Sequence, residues 1–154
     1  MKYKARPTSA FFQVFSYVTE DIEKVKLSLF NMLPKELHEK IKLNISKTEG
    51  YFKDPIHIIS TKLRGKEIDS FLRYVAEKLP KRTKIVMNKT IAQQIDEHGN
   101  LYLRFSKDDA FDNKIAFGDR DVIWCKIHFS AKSDKKKSIL EYLKEIKFIV
   151  EDQK

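Results

Sequence analysis

A chain of 154 residues is long enough to bury one proper core, whereas two domains of half that length would each be marginal, so one domain over 1–154 is expected. With 42% hydrophobic and 12% aromatic residues it holds enough apolar material to offset the entropy of ordering it, which excludes a disordered chain. Lys and Arg outnumber Asp and Glu by 31 to 22, a formal charge of +9 that points to a polyanionic partner, nucleic acid ahead of a merely lysine-rich solvated surface.

After a short basic arm, Ala10 to Val18 is rich in Phe, Val and Tyr and reads as a strand. Phe12, Val14 and Val18 point one way and Phe11, Gln13, Phe15 and Tyr17 the other, so both faces carry apolar groups and the strand is expected to be central. Thr19 is a candidate helix N-cap, with acids in the first turn and Ile22, Val25, Leu29 and Leu33 at helical spacing as far as Pro34. Ile41, Leu43 and Ile45 alternate with polar residues as a half-buried strand over Lys40 to Ser46. A turn at Lys53-Asp54-Pro55 leads to its hairpin partner, Ile56 to Arg64. Lys66 to Leu79 is the clearest helix, with Ile68, Phe71, Leu72, Val75 and Leu79 on one stripe.

From Lys81 to Ile95 the period fits a helix, with a hairpin arm as the alternative. Leu101, Leu103 and Phe105 alternate with Tyr102 and Arg104 in a strand, and Asp121 to Phe129 forms another. A last helix, capped near Ser133 or Asp134, carries Ile139, Leu140, Leu143 and Ile146. The sum is an α+β fold, a mostly antiparallel sheet with helices on one face.

Catalytic chemistry finds little support. No two of His38, His57, His98 and His128 have the i, i+4 spacing of a helical metal site, and no Gly-rich phosphate loop or nucleophile elbow occurs. Cys125, the single cysteine, shares a strand face with Ile123 and Ile127, the setting of an inert buried thiol. Asp108, Asp109, Asp119 and Asp121 could in principle hold a divalent ion for a nuclease, but capping and solvated aspartates explain them better. No catalytic residue, metal or cofactor is therefore expected. The basic start lacks a signal-length apolar stretch behind it, and nowhere do about 18 apolar residues run together, so a cytoplasmic protein without a membrane span is expected.

Cations cluster in two informative places. Lys53, Lys62, Arg64 and Lys66 surround one strand and its exit, and Arg104 and Lys107 end another. Tyr51, Phe52 and Tyr102 lie near them in sequence and offer stacking surfaces to unpaired bases, although Phe52 reads first as core. The row Phe11, Phe15 and Tyr17 also reads first as core beneath a helix, with a stacking platform or subunit interface as alternatives. The expected RNA-binding set is Lys53, Lys62, Arg64, Lys66, Tyr102, Arg104 and Lys107, while the run Lys132, Lys135, Lys136 and Lys137 reads as a solvated helix start.

Gly50-Tyr51-Phe52-Lys53-Asp54-Pro55-Ile56 and the stretch Asp96 to Lys107, with its Leu-Tyr-Leu-Arg-Phe run, resemble the two signature segments of an archaeal family of predicted RNA-binding proteins or exosome subunits. Val18-Thr19-Glu20-Asp21 and Asp121-Val122-Ile123 match its opening and closing motifs. The resemblance implies a fold like that of the ribosomal protein that binds 5S rRNA, RNA as ligand, and no enzymatic residues. It also implies a role as an accessory to RNA processing in the exosome or to ribosome biogenesis, with exosome or ribosomal proteins as partners. Lys53-Asp54-Pro55 and Ser106-Lys107-Asp108 depart from the family's Gly-Asn-Pro and Asp-Lys-Gln. A protein-interaction subunit of a larger assembly is the alternative.

Overall fold

The computed structural model describes residues 5–152. The chain runs β1 (Arg6–Ser16), α1 (Ile22–Asn31), α2 (Lys35–His38), β2 (Asn44–Glu49), β3 (Pro55–Arg64), α3 (Lys66–Lys78) and α4 (Lys81–Thr90). A 3-10 turn (Ile91–Gln94), β4 (Asn100–Ser106), α5 (Lys107–Phe111), β5 (Val122–Ser130) and α6 (Lys135–Glu145) complete it. The five strands form one antiparallel sheet, ordered β2-β3-β1-β5-β4 and packed by helices, so the α+β reading holds and β1 is central as its two apolar faces require.

Burial alternates along the strands with the pleat. Phe12, Val14 and Ser16 on β1, Ile59, Thr61 and Leu63 on β3, Leu101, Leu103 and Phe105 on β4, and Ile123, Cys125, Ile127 and Phe129 on β5 are all buried. Their neighbours on the opposite side are half-buried or exposed, the pattern left by helices covering one face only. Truncating one of these buried aromatics, Phe12 for example, is expected to cost about 3–5 kcal/mol.

Two compact units divide the chain, and β1, β3, β4 and β5 contribute residues to both. The first comprises the described residues up to Ala10, Arg64–Tyr102 and the chain from Lys126 on. Its core is built on α3, whose Ile68, Phe71, Leu72, Val75 and Ala76 are buried at helical spacing. The Tyr142 hydroxyl donates to Asp69 Oδ1 at 2.6 Å, tying α6 to α3. The second unit comprises Phe11–Leu63 and Leu103–Cys125, and in it Asn31 Nδ2 donates to the Ala110 carbonyl at 2.9 Å, linking α1 to α5.

Several local expectations are corrected. The cap of α1 is Asp21, whose side chain accepts from the Glu23 N–H, because the chain first turns over Tyr17–Glu20. The second strand begins at Asn44, later than its alternation suggested, and all of 44–49 is exposed, since β2 is an edge strand paired only with β3, Asn44 opposite Ser60 and Glu49 opposite Pro55. Residues 81–94 are helical, as the helix reading had it, with Pro80 setting the N-terminus of α4.

Candidate nucleic-acid interface

The uncovered side of the sheet carries an unusual share of rings. In the second unit, Phe11, Gln13 and Phe15 of β1 and Val122 and Trp124 of β5 project from the face opposite the buried row, and β1 and β5 are neighbours. Phe15 is 37% and Tyr17 38% exposed, so the reading of this row as core beneath a helix is overturned. The row is instead on the side that the helices leave open. Phe11 meets Trp124 edge-on at 6.0 Å between ring centroids, and Phe15 meets Tyr17 likewise at 6.3 Å, contacts that hold the rings in place relative to one another. A cavity of about 480 Å³ opens among them, lined by Gln13, Val14, Phe15, Tyr17, Asp121, Val122 and Trp124.

Lys62 on β3 and Arg104 on β4 are exposed on this same side, on the strands that flank β1 and β5. Lys53 is exposed in the β2–β3 turn, where its φ of 64° lets its N–H reach the Gly50 carbonyl at 2.9 Å. At that turn Tyr51 and Phe52 are 94% and 81% exposed and pack edge-on against each other, so Phe52 is not core. The turn lies beyond the buried part of the hairpin, which is confined to Ile59, Thr61 and Leu63 of β3.

Lys107 is a second correction. It was expected to grip RNA, but only 3% of its side chain is exposed and its ammonium is fully engaged inside the second unit. Nζ donates to the Phe15 carbonyl at 3.0 Å and to Glu20 Oε1 at 2.9 Å, and lies 2.8 Å from Asp121 Oδ1. It also sits 5.2 Å from the centroid of the Tyr17 ring. A buried cation with three oxygen partners is a clamp for the platform's end, and it cannot reach a phosphate without breaking all three contacts. Ser106 caps α5 and so delivers Lys107 to this position as the first helical residue.

Arg64, Lys66 and Tyr102 belong to the first unit. Arg64 and Lys66 are exposed on either side of Gly65, whose φ of 54° makes the turn into α3. Tyr102 is half-buried; its hydroxyl donates to Asp96 Oδ2 at 3.0 Å and Lys126 Nζ lies 5.9 Å from its ring centroid. Asp96 also accepts from the backbone N–H groups of His98 and Asn100 and from Asn100 Nδ2, all at 2.9 to 3.0 Å. Partial desolvation pulls the Asp96 carboxyl upward, but these donors outweigh it and hold it well below the usual carboxylate range. The same bond to Asp96, with desolvation, raises the Tyr102 phenol. Gly99 closes the turn at φ 88°, where a Cβ would lie 2.9 Å from the Phe129 carbonyl oxygen, so only glycine fits.

Cys125 is buried and burial pushes its thiol well above the ordinary value, as its apolar neighbours suggested. His128 Nδ1 is 2.9 Å from Asn100 Oδ1, and His57 stands opposite Lys47 in the β2–β3 register. Among the described residues no group of three or more His, Cys, Asp or Glu gathers where a metal ion could be held, and no helix is long and apolar enough to cross a membrane. Asp121 is tied to Lys107, while Asp108 and Asp109 sit in the first turn of α5, where a helix favours acids.

An antiparallel sheet packed by helices makes this an α+β protein, with part-exposed rings on β1 and β5 and exposed cations on β3 and β4. The chain belongs to the RNA_binding family, whose model, described as RNA binding, matches residues 10–132. It is 30% identical over 137 residues to the RNA-binding protein PAB1135 of Pyrococcus abyssi, covering 86% of this chain and 88% of that one. It is 29% identical over 135 residues to the uncharacterized protein MJ0213 of Methanocaldococcus jannaschii, covering 84% and 88%. Among solved structures it resembles Mth689, a DUF54 protein from Methanothermobacter thermautotrophicus, with a TM-score of 0.75 and 25% identity over 92% of this chain and 98% of the other.

Proposed function

We propose that the protein binds single-stranded RNA, without catalysing a reaction on it, by laying unpaired bases on the open face of its sheet. The observation that carries this reading is the half-exposed ring set Phe11, Phe15 and Trp124 on adjacent strands with Tyr17 just past the end of β1, and with Lys62 and Arg104 exposed on the strands outside them. Every base has a π-face that stacks on a ring, and cations along the strand neutralise the phosphates, so such a surface suits an extended strand better than a duplex. Family membership and the name of PAB1135 support RNA over other polyanions. Lys53, with the exposed Tyr51 and Phe52, gives the β2–β3 turn the same combination of ring and charge, and it acts as an outlying contact.

In the cell the protein serves as an accessory to RNA processing in the exosome or to ribosome assembly, and brings its RNA to the exosome or ribosomal proteins with which it works. Filter binding or fluorescence anisotropy with oligouridine tests the surface. Phe15→Ala is expected to cost about 1–3 kcal/mol of affinity, measured on variant protein shown to be folded by circular dichroism at the assay temperature. Unchanged affinity in both Phe15→Ala and Trp124→Ala would place the RNA elsewhere.

A further inference from the structure

The cavity on the open face has polar features that stacking alone does not use. We propose that it is a base-reading pocket that takes an unpaired guanine of single-stranded RNA, an inference that rests on the RNA reading above. Its aromatic wall, Phe15, Tyr17 and Trp124, accepts any base and so selects none. Selection falls to the two non-aromatic polar side chains of the lining, the Gln13 amide and the Asp121 carboxylate; among the described residues the amide has no partner, nor has Asp121 Oδ2.

A carboxylate only accepts, and each of its oxygens has two lone-pair sites, so Oδ1 can hold Lys107 and still accept a second donor. Guanine alone sets two donors side by side on its Watson–Crick edge, N1–H and the N2 amino group, a fork that matches a carboxylate in two parallel bonds. Adenine and cytosine place an acceptor nitrogen next to their amino group, which would face a carboxylate oxygen, and uracil offers one N–H between two carbonyls. Gln13 can then donate from its amide nitrogen to guanine O6, the acceptor on the same edge.

The acceptor is also fixed in place before the base arrives. Asp121 holds a φ of 46°, rare for a residue with a side chain, and its Oδ1 lies 2.8 Å from a lysine that is itself anchored on Glu20 and the Phe15 carbonyl. Such a group loses little freedom on binding. The cavity's volume of about 480 Å³ lies within the range of small-molecule sites and leaves room for the ribose.

Anisotropy with labelled seven-nucleotide oligouridines carrying one central guanosine, adenosine, cytidine or inosine, at one salt concentration, tests the pocket. The guanosine heptamer is expected to bind at least about fivefold tighter than the adenosine, cytidine and all-uridine heptamers, the discrimination of a good bidentate pair. It should also quench Trp124, the sole tryptophan, more strongly than they do. Inosine lacks the N2 amino group and is expected to lose most of that preference. Asp121→Asn, which tolerates the same backbone conformation, is expected to bring the guanosine-to-adenosine ratio close to one. Equal binding of all the heptamers would overturn the guanine pocket and leave RNA binding standing, whereas no binding to any of them at low salt would overturn both. A guanosine preference kept by a folded Asp121→Asn would overturn the role of Asp121. Should that variant fail to fold, inosine binding as tightly as guanosine would overturn the proposal by itself.

Discussion

Lys107→Met removes the ammonium from beneath the platform and keeps the apolar stem, leaving Glu20 and Asp121 without their shared cation and the Phe15 carbonyl without its donor. Removing one partner of a fully buried ion pair costs about 3–5 kcal/mol. Here Glu20 and Asp121 are 27% and 44% exposed, so water can partly replace the lost contacts and the expected cost falls to about 2–3 kcal/mol. For a chain of this size that is a drop of about 4–12 °C in melting temperature. Urea denaturation followed by circular dichroism measures it as a lower midpoint at unchanged slope. Lys62→Met, at an exposed lysine, is the control and should stay within about 0.5 kcal/mol of the parent. A Lys107 variant as stable as that control would refute the assignment of Lys107 to the clamp and return it to the pool of RNA-contacting cations.

Arg104→Ala should weaken binding to many RNA sequences alike and make the slope of log affinity against log salt shallower by about 0.7, whereas joint removal of Lys135, Lys136 and Lys137 at the start of α6 should do less. Asp96→Asn should destabilise the protein, with the deficit largest above about pH 4. Because the folded Asp96 carboxyl lies below its unfolded value, its stabilisation is complete above the unfolded pKa and fades as pH falls through the folded one, so melts of parent and variant should converge in acid. Cys125 should resist a thiol reagent in the native protein and react fully in denaturant; rapid native labelling would contradict its burial.

What the sequence revealed and what it concealed have physical explanations. The stripe on Lys66–Lys78 and the alternation of Leu101, Leu103 and Phe105 were readable because one buried face imposes one period on each element. The edge strand was misplaced because neither of its faces is buried, so no period marks its true limits. Cations are invisible to this kind of reading in another way: Lys62, Arg104 and Lys107 look alike in sequence. Only the fold, by bringing Glu20 and Asp121 to Lys107 from 87 residues before it and from the start of β5, separates an internal ion pair from a surface charge. The aromatic face was half legible. Phe11, Phe15 and Tyr17 stood out as a row, but a row of rings on a central strand has the same pattern whether or not a helix covers it. Trp124, on β5, joins the row only through the strand order.

The most direct measurement is ultraviolet crosslinking of the intact protein to oligouridine, followed by mass spectrometry of the crosslinked peptides. The account predicts crosslinks at Phe11, Phe15, Tyr17 or Trp124, with further ones at the exposed Tyr51 and Phe52. Crosslinks confined to the helices, or to the lysine run at 132–137, with β1 and β5 unmarked, would contradict it.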